Sequence, residues 1–259
     1  MPPIVVIAGQ SNAAGRGTIP LLPGACVTLG YGDPLPAVQF MYRVEDTPTD
    51  PLEWDFDEAA GDLDYIHSGN GTYGIELSLG RRLHQAGYEH AIVKMAIGSS
   101  SLAVHWDATS GAYPAGPADP LFTQFLDYCT SAETDLSGTI AELIWIQGET
   151  DAGNQAHANA YAANFAAFMT AFRAEFPGVP VTLNRLHSGS GGTYNSVIRA
   201  QQSTIVATVP GVRIFNVDDL ALDGAHFTSA AFITLGERFA DAILGRRPGV
   251  GVRVGMGLP

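Results

Sequence analysis

Five short apolar runs mark the chain, at residues 4–8, 91–97, 140–146, 179–186 and 212–217, each rich in Val, Ile or Leu. Runs of this length, bounded by Gly, Pro or polar clusters, read as buried strands. Between and after them lie segments with apolar residues at three- and four-residue spacing: 75–86, 121–132, 154–176, 194–209 and 228–244. That spacing predicts helices. Gly87, Pro177-Gly178, Pro210-Gly211 and Gly245 stand just past four of them, where helices end. The alternation predicts an α/β chain with a three-layer α/β/α architecture and a five-stranded parallel sheet.

Two stretches break the rhythm. Residues 17–71 are rich in Pro, Gly and Asp with little periodicity, and read as a long loop insertion over one end of the sheet. A loop that long is usually functional or carries structure of its own. Residues 246–259, RRPGVGVRVGMGLP, read as a glycine-rich tail. One domain over residues 1–245 follows, since single α/β domains of this size are common.

Composition narrows the partners. Nearly half of the 259 residues are apolar, enough for a sizeable core. The net charge is −13, Lys94 is the only lysine, and the other cations are arginines. Polyanions and anionic membranes need clustered Lys and Arg. The adjacent pairs here, Arg81-Arg82 and Arg246-Arg247, read as solvated faces, so neither nucleic acid nor membrane is an expected partner. No apolar run nears the ~20 residues of a membrane span, and MPPIVVIAGQSN lacks the basic start of a signal peptide. The chain is therefore expected to be cytoplasmic, or exported after loss of a signal. Cys26 and Cys129 fit neither a zinc nor a redox spacing. They read as two buried thiols, with a single disulfide as the alternative. The seven histidines are scattered, and neither a metal nor a cofactor is expected.

In parallel sheets, ligands bind beyond the carboxyl ends of the strands. Four polar clusters fall there: Gly9-Gln10-Ser11-Asn12 after the first strand, and Gly98-Ser99-Ser100-Ser101 after the second, with Trp106 close behind. Gln147-Gly148-Glu149-Thr150-Asp151 follows the third strand, and Asp223-Gly224-Ala225-His226 the fifth. Each alone has a plainer reading. A serine there is usually a helix cap, a lone histidine is more often structural, Gly98 relieves a tight turn, and Gln147 caps a loop. Together they match the parts of ester hydrolysis: a hydroxyl nucleophile, a base, a carboxylate to orient it, and donors for an oxyanion. Asp223 and His226, three residues apart, can face Ser11 from one turn of chain.

The run GQSNAAGRG (9–17) resembles the first block of the SGNH hydrolases. It is nearest the acetylesterase branch containing carbohydrate esterase family six and the sialate O-acetylesterases. KMAIGSSSLAVHW (94–106), WIQGETD (145–151) and DGAHF (223–227) resemble that branch's later blocks, in order. The resemblance implies a flavodoxin-like SGNH fold and a serine esterase removing acetyl groups from a carbohydrate-like substrate. It implies Ser11 as nucleophile, His226 as general base and Asp223 as its orienting partner. The oxyanion hole it implies is formed by Ser11, Gly98 and Gln147. Gln10, Asn12, Ser99, Trp106 and Glu149 would border the substrate. Ala13 and Ser99 depart from the branch, where Met and Gly are frequent, as does Ile146, where some members have His, and this bears on substrate choice more than on mechanism.

The sequence itself argues against several rivals. It has no G-x-S-x-G elbow, no Walker or G-x-G-x-x-G loop and no H-E-x-x-H. A lipid- or small-ester-directed esterase, and a non-catalytic carbohydrate-binding module of a larger assembly, are the alternatives left. A retired enzyme should tend to lose Ser11 or His226, and both are present.

Overall fold

The computed structural model describes residues 1–28, 31, 35–45, 61–63, 72–108 and 121–245. Its strands are β1 (Pro3–Gly9), β2 (Gly17–Thr18), β3 (Leu35–Glu45), β4 (Gly61–Leu63), β5 (Thr72–Tyr73), β6 (Ala91–Ile97), β7 (Thr139–Ile146), β8 (Val181–Asn184), β9 (Val212–Phe215), β10 (Leu222–Asp223) and β11 (His226–Phe227). Its helices are α1 (Ser11–Ala14), α2 (Gly24–Thr28), α3 (Glu76–Gln85), α4 (Leu121–Asp135), α5 (Gln155–Glu175), α6 (Asn195–Thr208) and α7 (Ser229–Ile243).

Seven strands form the main sheet, in the order β4-β3-β6-β1-β7-β8-β9. All neighbours run parallel except β4, which is antiparallel to β3. The five expected strands are β1, β6, β7, β8 and β9. The sixth parallel strand, β3, corrects the count. It comes from the stretch read as an insertion over one end of the sheet, and it pairs with β6 from Gln39↔Ala91 to Glu45↔Ile97. Pro36, Gln39 and Arg43 interrupt its apolar run, which hides the strand from a periodicity argument. Val38, Phe40 and Met41 are nevertheless buried. The tail, residues 246–259, lies outside the described residues.

Successive strand residues point to opposite faces, and this divides the core in two. Ile4, Val6 and Ala8 pack with Phe125 of α4, Phe168 of α5 and Ile198 of α6. Val5 and Ile7 pack on the other face with Leu79 of α3 and Phe232 of α7. Helices thus cover both faces, giving the three-layer α/β/α sandwich of the SGNH fold. Cys129 and Cys26 sit in these two separate cores as free, buried thiols. The helix starts follow local chemistry. Asn154 Oδ1 accepts from Ala156 N–H at 2.9 Å and His157 N–H at 3.2 Å, and Thr228 Oγ1 accepts from Ala231 N–H at 3.3 Å. No helix among the described residues is long and apolar enough to cross a membrane.

Candidate active site

The first strand ends at Gly9, whose φ of +140° is open to glycine and whose added Cβ would lie 2.0 Å from the Ile146 carbonyl oxygen. The chain therefore leaves the sheet tightly against β7 and enters α1, with Ser11 as its first residue. Ser11 is 8% exposed. The one-turn helix is pinned from below. Lys94, fully buried in β6, donates from Nζ to the Ala14 carbonyl at 2.8 Å and lies 2.7 Å from Glu76 Oε2. Glu76 Oε1 in turn accepts from Gly74 N–H at 2.7 Å. A strand lysine inside an apolar run was the available signal for this anchor, and sequence reasoning gave it no role.

Gln147, expected as the third oxyanion donor, sits just past the end of β7 on the expected edge, with its amide turned onto protein groups. Its Nε2 donates to Gln10 Oε1 at 3.1 Å, to the Ser100 carbonyl at 3.1 Å and to Asp151 Oδ2 at 2.5 Å. Two amide hydrogens already face three acceptors, so none is left for an oxyanion in this arrangement. Asp151, fully buried, also accepts from Leu102 N–H at 2.9 Å and Ala103 N–H at 3.1 Å. Gln10 Oε1 accepts from Thr150 N–H at 3.2 Å. Gln10, Gln147 and Asp151 together lash the loops after β1, β6 and β7, and Gln10 therefore faces protein where a substrate contact was expected. None of the loop backbone hydrogen bonds among the described residues uses the N–H of Ser11 or of Gly98.

A further expectation is corrected. Trp106 is fully buried: its Nε1 donates to Ser100 Oγ at 2.8 Å and its ring meets Trp145 edge-on at 5.2 Å. It is core and cannot stack on a sugar. Gly148, next to Gln147, holds a φ of +142°, and a Cβ there would meet Ile198 at 3.1 Å. Ser99 is exposed and holds a left-handed φ of 56°, which accounts for glycine being frequent at that position in the resembling branch.

Removing the Gln147 amide should therefore be felt first in stability. Gln147→Ala leaves the buried Asp151 carboxylate and Gln10 Oε1 short of a donor, a loss of about 1–3 kcal/mol. Thermal melting should show a fall of roughly 2–10 °C, with kcat kept within about tenfold. An unchanged melting temperature with kcat down ~10²–10³ would restore the donor role.

Asp223 and His226 are delivered by a hairpin. They are cross-strand partners in β10 and β11, joined through Gly224-Ala225, with Gly224 at a φ of 62°. Directly opposed residues lie on one face of a ladder, which is how a spacing of three brings the two side chains together. Burial pushes the His226 imidazole below the usual histidine range. The Arg16 charge acts in the same direction, and Asp223 opposes both. Arg16, Thr18, Leu21, Asp223, His226 and Ser229 line a cleft of about 200 Å³. Among the described residues no hydrogen bond joins Ser11 Oγ to His226, or His226 to Asp223; such contacts often tighten only with substrate. A larger cavity of about 620 Å³ opens at the opposite end of the sheet, by Met1, His84, Tyr88 and His90, away from these clusters.

Asn12 connects the serine to the hairpin. Its Nδ2 donates to Glu149 Oε1 at 2.7 Å and to the Ala225 carbonyl at 3.2 Å, and its Oδ1 accepts from Phe227 N–H at 3.2 Å. Both Asn12 and Glu149 had been expected to border the substrate. The structure turns Asn12 onto the protein.

Ser11 thus stands at the carboxyl edge of a parallel sheet, and the neighbouring Asn12 ties its helix to the hairpin that carries Asp223 and His226. The description "Carbohydrate esterase, sialic acid-specific acetylesterase" fits residues 2–245 as a family model, and the chain belongs to that family of carboxylic ester hydrolases, which remove acetyl groups from carbohydrate. Solved structures agree on the fold. A protein of Arabidopsis thaliana is 20% identical, with a TM-score of 0.70 over 94% of this chain and 99% of that one. NanS is 16% identical, with a TM-score of 0.62 over 94% and 96%. A carbohydrate acetylesterase of Xanthomonas citri is 18% identical, with a TM-score of 0.61 over 93% of this chain and 55% of that one. No curated protein sequence matches the chain at a significant level.

Proposed function

We propose that residues 1–245 act as one catalytic domain that removes acetyl groups through an acetyl-enzyme on Ser11. Ser11 Oγ attacks the acetyl carbonyl while His226 takes its proton. His226 then returns that proton to the departing sugar hydroxyl. Water, deprotonated by the same imidazole, then attacks the acetyl-serine; the ester bond to Oγ breaks, acetate leaves, and His226 returns the proton to Ser11 Oγ. Asp223 orients His226 and steadies the imidazolium. The backbone N–H groups of Ser11 and Gly98 face the oxyanion, and no metal or cofactor takes part. The observation that carries this reading is the Asp223–His226 pair set on one face of a hairpin that Asn12 ties to the serine helix.

The family description, a sialic acid-specific acetylesterase, supports an O-acetylated sialic acid as the substrate class. Acetate release should be fastest from O-acetylated sialic acids, slower from neutral acetylated sugars, and least from octanoyl esters. Faster turnover of octanoyl than acetyl nitrophenyl esters would favour a lipid-directed enzyme.

The pH profile follows from His226. Only the neutral imidazole accepts the serine proton, so kcat/KM rises with pH as His226 deprotonates. Because burial and Arg16 lower its pKa, the acid limb should lie below the ordinary histidine value of 6.5. Arg16→Gln removes one lowering influence and should move the limb to higher pH, whereas Asp223→Asn should move it lower and slow the reaction. A limb that ignores both substitutions would assign it to another group.

A further inference from the structure

Asn12 makes three hydrogen bonds within the protein. It is 1% exposed, and its two donors and one acceptor meet Glu149, Ala225 and Phe227. Ala225 and Phe227 are the residues on either side of His226. The outer surface of this hairpin is open: Asp223, Gly224 and Ala225 are exposed and His226 is half-buried. Among the described residues, no other side chain hydrogen-bonds to residues 223–227. One amide, a single residue from the nucleophile, therefore fixes the backbone before and after the base.

We infer that Asn12 is the positioning residue that sets the distance and angle between Ser11 and His226, with Glu149 holding the Asn12 amide in its clasp. The inference rests on the acetyl-enzyme reading for its effect on rate, but not for its effect on the hairpin. The Glu149 role is that of an acceptor alone. Its Oε1 receives the Asn12 N–H at 2.7 Å, while its buried Oε2 has no partner among the described residues. Burial also pushes the Glu149 carboxyl upward, with the Asn12 bond opposing. A neutral group of the same shape should therefore serve as well as the carboxylate.

Misplacement of reacting groups by about 1 Å is worth on the order of 10²-fold in rate. Asn12→Ala should lower kcat by about that factor and leave KM within about threefold. The rate of fluorophosphonate labelling at Ser11 should fall in parallel, since both need the base in place. Glu149→Gln keeps an oxygen where Oε1 is and should keep kcat within about threefold, while Glu149→Ala should lose much of what Asn12→Ala loses. The double variant Asn12→Ala/Glu149→Ala should be no worse than Asn12→Ala, because the two act through one contact.

Amide hydrogen exchange gives a readout independent of activity. The Phe227 N–H, bonded to Asn12 Oδ1, should lose protection in Asn12→Ala while core strand amides of β1 and β7 keep theirs. If Asn12→Ala fails to fold, Glu149→Ala carries the same measurements, since it removes one contact and leaves the other two. Unchanged Phe227 protection, an unchanged kcat, additive losses in the double variant, or a dead Glu149→Gln enzyme would each overturn the latch. A wild-type protein that releases no acetate and takes no label would sink the catalytic reading, whereas loosened Phe227 exchange in Asn12→Ala would still uphold the latch.

Discussion

Ser11→Ala should abolish acetate release, with kcat falling on the order of 10⁵–10⁶, and should fold as the parent chain does. Two features of the site set these expectations. In the proposed mechanism the serine hydroxyl forms the bond to the acetyl carbon, and no neighbour can replace it, because Gln10 and Asn12 on either side are turned onto protein contacts. Ser11 Oγ makes no hydrogen bond among the described residues, so its removal strands no buried partner, and a change in stability within about 0.5 kcal/mol is expected. Acetate release and unfolding midpoints test both halves. Intact-mass analysis after exposure to a fluorophosphonate should find one adduct on the parent protein, located at Ser11, and none on the variant. An active variant, or one labelled elsewhere with loss of activity, would move the nucleophile to another residue.

The largest stability effect should come from the ion pair beneath that serine. Lys94 and Glu76 are both fully buried and 2.7 Å apart, and Lys94 also holds the last carbonyl of α1. Burial lowers the Lys94 pKa and the Glu76 carboxylate opposes the shift, so each charge depends on the other. Removing one partner leaves an uncompensated charge in an apolar core, a loss of about 3–5 kcal/mol. Glu76→Ala should show it in denaturant unfolding as a lower midpoint with unchanged slope, and Lys94→Met should fall by a similar amount. The double variant Lys94→Met/Glu76→Leu should recover much of the stability, because apolar residues of matching volume avoid the desolvation of two charges. It should not recover full activity, since nothing then grips the Ala14 carbonyl under the nucleophile. Single variants that each lose under 1 kcal/mol would show that the pair is solvated or dispensable.

Local pattern determined a good part of this protein. Apolar runs of strand length and intervening helical spacing fixed five of the six parallel strands, most plainly β1 and β6, whose burial on both faces leaves a near-continuous apolar run in the sequence. The polar clusters at the strand ends located Ser11, Gly98, Asp223 and His226 on one edge, since parallel strands all end on the same side. The tertiary structure alone decided what those clusters face. Strand β3 is interrupted by Pro36, Gln39 and Arg43, and it is a strand because β6 offers it a ladder. Trp106 is core because Phe125, Trp145 and Phe168 close around it. The Gln147 amide ties three loops because folding brings Gln10, Ser100 and Asp151 to it. Asn12 meets partners 137 and 213 residues away in sequence. A buried polar side chain must be satisfied by whatever lies opposite it, and which group lies opposite is a property of sheet order and loop path, written nowhere in the neighbouring residues.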